Sequence, residues 1–89
     1  MSLPVGATIG ILGGGQLGRM LASAAAKLGF RTIVFAPGEG LPAAQMASQH
    51  MDADYSEADA LEAFAAACEV VTLEWENVPV AALDVITSA

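Results

Sequence analysis

The sequence holds few of the side chains on which redox, metal or nucleic-acid chemistry depends. Its 89 residues include one cysteine, one histidine and three basic residues, while ten acidic residues bring the formal net charge to −7. A single cysteine forms no internal disulfide, and a lone histidine provides too few ligands for a metal site. So few cations also leave no basic face for a nucleic acid or an anionic membrane. We therefore expect no metal site in this chain and no nucleic-acid or membrane partner.

Long apolar runs are also absent. No run approaches the roughly 20 residues that span a bilayer, and the N-terminus lacks the charged, apolar and small-residue order of a signal peptide. These absences favour a cytoplasmic protein. The hydrophobic fraction is 55%, but alanine supplies much of it, and alanine favours helix rather than a bulky core. A chain of this length forms one domain with a thin core, so we predict a single domain over residues 1–89.

The two isolated reactive side chains are interpreted as structural. Cys68 lies in the stretch AFAAACEVV, where no basic neighbour lowers the pKa of its thiol, so it is predicted to be a packing residue and not a nucleophile. His50 has no metal-ligating partner at a useful spacing and is interpreted as a surface or capping residue.

What the sequence does contain is an alternation of β-rich and helical segments. Strands are predicted over Thr8–Leu12, residues 31–36 and Val70–Leu73, with a weaker one over residues 52–55. Such alternation is typical of a parallel sheet with crossover helices. The predicted fold class is α/β, with an open parallel sheet and helices on both faces.

Helices are predicted between these strands. The first covers residues 16–28, with one apolar stripe and a stop at Gly29, and a short one follows over residues 43–51. A third begins at Ser56, where Ser56 and Asp59 have the spacing of a capping box. A last helix follows Pro79, which suits a first helical turn. The first stripe comprises Leu17, Leu21, Ala24, Ala25 and Leu28.

A glycine-rich turn joins the first strand to the first helix. In IGILGGGQLGRM, Gly13, Gly15 and Gly18 fit the spacing G-x-G-x-x-G. Glycines in such a turn let the backbone approach a ligand closely, and the free amides of the helix N-terminus favour an anion such as phosphate. The spacing is shared by NAD- and NADP-binding domains, so the turn alone does not identify the ligand.

The end of the second strand discriminates between possible ligands. An NAD site places an acidic residue there to hold the ribose hydroxyls, and an NADP site places a basic one. Here Ala36 and Pro37 occupy the position, while Gln16 places an amide side chain at the mouth of the turn. An NAD(P)-binding oxidoreductase domain is therefore disfavoured, although it stays as the alternative.

A second polar cluster follows the last predicted strand, in TLEWENVP. Ligands of open parallel sheets bind beyond the carboxyl ends of the strands, so Glu74 is expected to face the same crevice as the glycine turn. For Glu76 and Asn77 two interpretations stay open. Glu76 is either a second ligand group or a solvated loop acid, and Asn77 is either a ligand group or a helix cap.

Together these motifs resemble a known family. The segments GGGQLGRM, PAAQMA, ADY and EWENVP are similar to the N-terminal domain of the N5-carboxyaminoimidazole ribonucleotide synthases, and the resemblance extends over nearly the whole chain from Thr8. Two departures are visible. Ala36 stands where such domains often carry aspartate, and Trp75 stands where phenylalanine is commoner.

The resemblance implies a Rossmann-like pre-ATP-grasp domain at the start of an ATP-grasp ligase. Such ligases use ATP and Mg²⁺ to join bicarbonate to 5-aminoimidazole ribonucleotide in de novo purine biosynthesis, and the full-length enzyme is expected to be a homodimer. Their catalytic and ATP-binding groups lie in later domains, so this chain is expected to be a fragment without catalytic residues and inactive alone.

The resemblance also implies which residues meet the substrate. Gly14 and Gly15 are expected to shape the turn, while Gln16, Leu17 and Glu74 contact the ribonucleotide. Arg19 is left open between a phosphate ligand and a solvent-facing cation.

Overall fold

The computed structural model describes residues 6–73, 82, 85 and 86. Within residues 6–73, strands and helices alternate along the chain. In order they are β1 (Thr8–Leu12), α1 (Gln16–Lys27), β2 (Arg31–Phe35), α2 (Pro42–Met46), β3 (Gln49–Met51), α3 (Ala58–Ala66) and β4 (Val70–Leu73).

The four strands form one parallel sheet in the order β3-β2-β1-β4. β1 lies inside the sheet, where Leu12 is in register with Phe35 of β2 on one side and with Leu73 of β4 on the other. The chain first adds strands on one side of β1 and then returns to its other side for β4. The strand order therefore reverses between β1 and β4, which is where open parallel sheets bind ligands.

Helices cover both faces of this sheet, as the sequence predicts. Side chains of successive strand residues point to opposite faces, so β1 and β2 each contribute to two core clusters. The cluster on the α3 face comprises Leu12, Ile33, Phe35, Leu61, Phe64 and Ala82. The cluster on the α1 and α2 face comprises Ile11, Ala22, Val34, Ala36 and Ala43. Burial on both faces explains why the last residues of β1 and β2 are apolar: Ile11, Leu12, Ile33, Val34 and Phe35.

The segment between β2 and α3 differs from the sequence prediction. β3 lies at Gln49–Met51 and not over residues 52–55, and the helix predicted over residues 43–51 is the five-residue α2. Ser48 and Thr32 exchange two hydrogen bonds, from Thr32 N–H to Ser48 Oγ at 3.1 Å and from Ser48 N–H to Thr32 Oγ1 at 3.2 Å. These bonds align the chain with β2, so sheet pairing overrides the helical preference of the sequence there.

Helix α1 begins at Gln16 and ends as predicted before Gly29, whose φ of 88° lies in the left-handed region. The apolar stripe is wrong for its three leucines, because Leu17, Leu21 and Leu28 are exposed, whereas its member Ala25 is buried. The buried residues of α1 are all small: Gly18, Ala22 and Ala25.

Small residues face inward because α1 lies very close to α2. A Cβ atom added to Gly18 would lie 3.0 Å from the Cβ atom of Ala43. Larger side chains on this face of α1 would separate the two helices.

Helix α3 begins at Ala58, and the predicted capping box is wrong. The backbone N–H and the hydroxyl of Ser56 both donate to Asp54 Oδ1 at 2.9 Å, and these bonds lower the pKa of the Asp54 carboxyl. Ser56 is thereby held by the turn that precedes α3 instead of capping the helix, since the N-cap residue is Glu57.

Cys68 and His50 are structural in the described part of the chain. The Cys68 thiol is half-buried beside the α3 core cluster, and burial, with a smaller contribution from the Glu69 carboxylate, raises its pKa to about 11. His50 Nε2 lies 2.9 Å from the carbonyl oxygen of Ala36, a geometry that requires the nitrogen to donate. Over the described residues, no helix combines the length and the apolar character that crossing a membrane requires.

Candidate functional site

The glycine turn lies at the carboxyl end of β1 and leads into α1. Gly13 adopts a φ of 126°, which favours glycine, and its N–H donates to the carbonyl of Phe35 at 3.1 Å. Gly15 is the N-cap residue of α1, and no side chain caps this end of the helix. The first intrahelical hydrogen bond runs from Arg19 N–H to the Gly15 carbonyl at 3.1 Å. The amides that precede Arg19 in the first turn therefore have no intrahelical acceptor and can bind an anion.

The structure places four of the five predicted site residues in this turn. Gly14 and Gly15 are half-buried, whereas Gln16 and Leu17 are exposed on the first turn of α1. Because Leu12 pairs with Leu73, the turn and the end of β4 lie side by side where the strand order reverses. Glu74 follows Leu73 directly in the sequence but lies outside the described residues, as do residues 75–77.

An apolar cavity of about 290 Å³ lies beside the turn, between α1 and the end of β4. Its lining comprises Leu17, Met20, Leu21 and Leu73. The sequence pattern places Leu17 and Leu21 on one apolar stripe of the helix, and the family resemblance implies Leu17 as a substrate contact, but neither predicts this cavity. The exposed apolar end of β4 could have indicated it, since Leu73 closes the strand that borders the turn.

A second surface depression of about 510 Å³ runs along α1. Arg19 and Lys27, two of the three basic residues of the sequence, line it together with Gln16 and Ser23. In a chain with a net charge of −7, these side chains make the groove the most cationic part of the α1 surface. Arg19 thus lies on the groove that begins at the turn, which is consistent with either interpretation of this residue.

The side of the turn that faces β2 is apolar. Ala36 follows β2 at the position where dinucleotide-binding domains carry the ribose-binding acid, and it is almost fully buried. A Cβ atom on Gly14 would lie 3.2 Å from the Cβ atom of Ala36, so no room is left for a ligand between them. Among the described residues, Ala36 closes the β2 side of the turn, while Gln16 and Leu17 on the α1 side are exposed.

The described residues contain no group of three histidine, cysteine, aspartate or glutamate side chains that could hold a metal ion. What the turn offers instead is backbone amides, one amide side chain and an adjacent apolar wall. This combination suits a small anionic ligand with a partly apolar body.

Comparison with known proteins identifies the family. Residues 6–89 match the ribonucleotide synthetase preATP-grasp domain. The chain belongs to this family. Among curated proteins, it is 57% identical over 83 residues to the N5-carboxyaminoimidazole ribonucleotide synthase of Brucella melitensis, an alignment that covers 93% of this chain and 23% of that protein.

Solved structures agree with the fold. The N5-carboxyaminoimidazole synthetase of Staphylococcus aureus, complexed with ADP, superposes with a TM-score of 0.90 at 40% identity, covering 97% of this chain and 23% of that one. The corresponding synthase of Aspergillus clavatus, in complex with ADP and 5-aminoimidazole ribonucleotide, gives a TM-score of 0.80 at 36% identity. This alignment covers 94% of this chain and 23% of the Aspergillus chain. This chain therefore spans less than a quarter of the length of each of these three proteins.

Proposed function

We propose that this chain is the N-terminal, substrate-side domain of an ATP-dependent carbon–nitrogen ligase. The full-length enzyme would carboxylate 5-aminoimidazole ribonucleotide with bicarbonate to give N5-carboxyaminoimidazole ribonucleotide, in the cytoplasm and as a homodimer. ATP and Mg²⁺ would bind mainly outside this domain. The family assignment and the names of the relatives support the proposal, and the chain's length relative to theirs supports its being one domain of a longer protein.

The observation that carries this proposal is the position of the glycine turn. It lies next to the end of β4, at the reversal of strand order, and its β2 side is closed by Ala36. A dinucleotide needs the β2 side for its ribose, whereas a ribonucleotide that binds between the turn and β4 does not.

We assign roles to the five predicted site residues on this basis. Gly14 and Gly15 shape the turn, and the free amides at the start of α1 would bind the substrate phosphate. Gln16 would donate or accept a hydrogen bond through its side-chain amide, and Leu17 would form the apolar wall. Glu74, the residue after β4, would accept hydrogen bonds from ribose hydroxyls or from the aminoimidazole amine.

The test is a binding measurement on the full-length enzyme with Glu74→Ala. Hydrogen bonds to a charged group contribute about 1.5–3 kcal/mol, which corresponds to a roughly 10- to 150-fold rise in Kd. Isothermal titration should show this rise for 5-aminoimidazole ribonucleotide while the Kd for ATP stays near that of the wild type. Glu62→Ala is the matched control, because Glu62 is an exposed acid on α3.

Two outcomes would count against the proposal. An unchanged ribonucleotide Kd in Glu74→Ala would remove Glu74 from the site. Micromolar binding of NADH by the wild-type protein, without ribonucleotide binding, would favour the oxidoreductase alternative.

A further inference from the structure

The side chain of Leu41 occupies the space between the glycine turn and the end of β2. A Cβ atom added to Gly14 would lie 2.6 Å from Leu41 Cδ1 and 3.2 Å from Leu41 Cβ. The first distance is far shorter than the roughly 3.5–4.0 Å of an unstrained carbon–carbon contact, and the second is slightly shorter. Leu41 and Ala36 thus pack directly on the backbone of Gly14. In a dinucleotide-binding domain this is the space beside the ribose-binding acid.

Gly14 is required by this contact and not by its backbone conformation. In the described residues, positive φ angles occur at five glycines, and Gly14 is not one of them. Any residue could adopt the backbone conformation of Gly14 if space allowed. What limits a side chain there is space, because Leu41 Cδ1 would have to move aside and the Cβ atoms of Leu41 and Ala36, each 3.2 Å away, would have to give by a few tenths of an ångström.

The loop that carries Leu41 is fastened to β3 at its start. His50 Nε2 donates to the carbonyl of Ala36 at 2.9 Å, and the Gly38 N–H donates to Asp52 Oδ1 at 2.8 Å. A backbone hydrogen bond from Ala36 N–H to the Met51 carbonyl, at 3.2 Å, adds a third link. These bonds fix the start of the loop relative to the sheet.

The end of the same loop is fastened to the turn itself. The N–H of Ala43, in the first turn of α2, donates to the carbonyl of Gly14 at 3.1 Å. Leu41 immediately precedes Pro42, the first residue of α2, and its backbone is extended with φ −69° and ψ 141°. The loop therefore contacts Gly14 in two ways: Ala43 N–H donates to the Gly14 carbonyl, and the Leu41 side chain packs against the Gly14 backbone.

We propose that Leu41 is a positioning residue that sets the conformation of the glycine turn and closes its β2 side. The phosphoribosyl substrate then has access to the turn only from the α1 and β4 side, where Gln16 and Leu17 are exposed. This inference rests on the proposed function. The role assigned to Leu41 is indirect and runs through the Gly14 backbone on which its side chain packs.

The experiment compares Leu41→Ala with Leu41→Met in the full-length enzyme. Leu41→Ala should raise the Kd of 5-aminoimidazole ribonucleotide about tenfold, because the turn loses the side chain that fixes it, and should leave the Kd of ATP within about twofold of the wild type. Leu41→Met nearly conserves volume and should restore ribonucleotide affinity to within about threefold. Leu28→Ala is the control, since Leu28 is an exposed leucine at the far end of α1.

A double substitution tests the specific contact between Leu41 and Gly14. Gly14→Ala should displace the Leu41 side chain and weaken ribonucleotide binding about tenfold or more, whereas Gly14→Ala combined with Leu41→Ala should bind more tightly than Gly14→Ala alone. Strictly additive losses, an unchanged Kd in Leu41→Ala, or failure of Leu41→Met to restore affinity would each overturn the inference. Absence of ribonucleotide binding in the wild type would instead overturn the proposed function.

Discussion

Gly10 is the position at which the addition of a single methyl group should be most informative about the core. It lies in the middle of β1, beneath α3, and a Cβ atom there would lie 2.6 Å from Phe64 Cζ and 2.7 Å from Cys68 Sγ. Phe64 is fully buried and its ring packs against Phe35 with centroids 5.3 Å apart, so it has little freedom to move. We predict that Gly10→Ala destabilises the chain.

The magnitude follows from two opposing effects. Overpacking a core costs about 1–3 kcal/mol, while replacing glycine by alanine in a strand contributes roughly 0.5–1 kcal/mol in the favourable direction. The free energy of unfolding should therefore fall by about 1–2 kcal/mol. For a domain of this size each kcal/mol lowers Tm by roughly 4–8 °C, so the expected decrease is roughly 5–15 °C.

Thermal and urea unfolding followed by circular dichroism would measure the effect. Phe64→Leu shortens the side chain that Gly10→Ala would meet, so the double variant should lose less stability than the sum of the two single losses. A coupling of at least about 0.5 kcal/mol is expected for residues in contact. A Gly10→Ala chain as stable as the wild type, or additive losses in the double variant, would refute the close packing of β1 against α3.

Two further predictions concern the ends of the helices. Cys68 should react with iodoacetamide at pH 8 at least roughly tenfold more slowly in the folded chain than in urea, because the thiolate is the reactive form and burial raises the thiol pKa. The folded state holds this proton more tightly, so the contribution of Cys68 to the free energy of unfolding should be lost as pH rises from 9.0 to about 11. Cys68→Ala should lack this fall of the unfolding free energy with pH. Equal alkylation rates in the folded and unfolded chain would contradict both expectations. Gly29→Ala should lower the unfolding free energy by about 1–2 kcal/mol, because Gly29 has a φ of 88°, and Gly29→Asn should recover part of that loss in the same unfolding assay. Equal stability of the glycine and alanine forms would show that the left-handed end of α1 is not maintained in solution.

Local patterns predicted β1, β4, the glycine turn and the start of α1 because each depends on neighbouring residues. The apolar run of β1 is typical of a central strand buried on both faces, and the β-branched residues of β4 favour a strand even at the edge of the described sheet. A glycine at the required spacing likewise marks the turn whatever lies around it.

The face of α1 and the position of β3 depend on distant contacts, and these predictions failed. Leucines are ordinarily the best indicators of a buried helical face. Here Gly18 and Ala22 face inward because α2 lies so close, and that proximity is a property of the tertiary structure. β3 is set by the Ser48–Thr32 hydrogen bonds, which link residues that no local pattern connects.

The candidate site was likewise predictable only where its residues are neighbours in the sequence. Gln16 and Leu17 could be placed at the mouth of the turn because they adjoin the glycines in sequence. Leu41 could not be placed there from the sequence, because α1 and β2 separate it from Gly14 along the chain. The lack of an acid at Ala36 was the only sign in the sequence that another group fills that space. The role of Glu74 stays a prediction.

The location of β1 between β2 and β4 has a consequence for how the protein acquires its binding crevice. Thr8 N–H donates to Glu69 Oε2 at 2.6 Å, and Glu69 N–H donates to the Thr8 carbonyl at 2.9 Å, across a separation of 61 residues. Closing so long a loop costs more entropy than pairing β1 with the nearer β2, so β4 is expected to join the sheet last during folding. A ribonucleotide that binds between the turn and β4 would stabilise the product of that final step by RT ln(1 + [L]/Kd), where [L] is its concentration. Because it binds only after β4 has joined, its kinetic signature would be slower unfolding and not faster refolding.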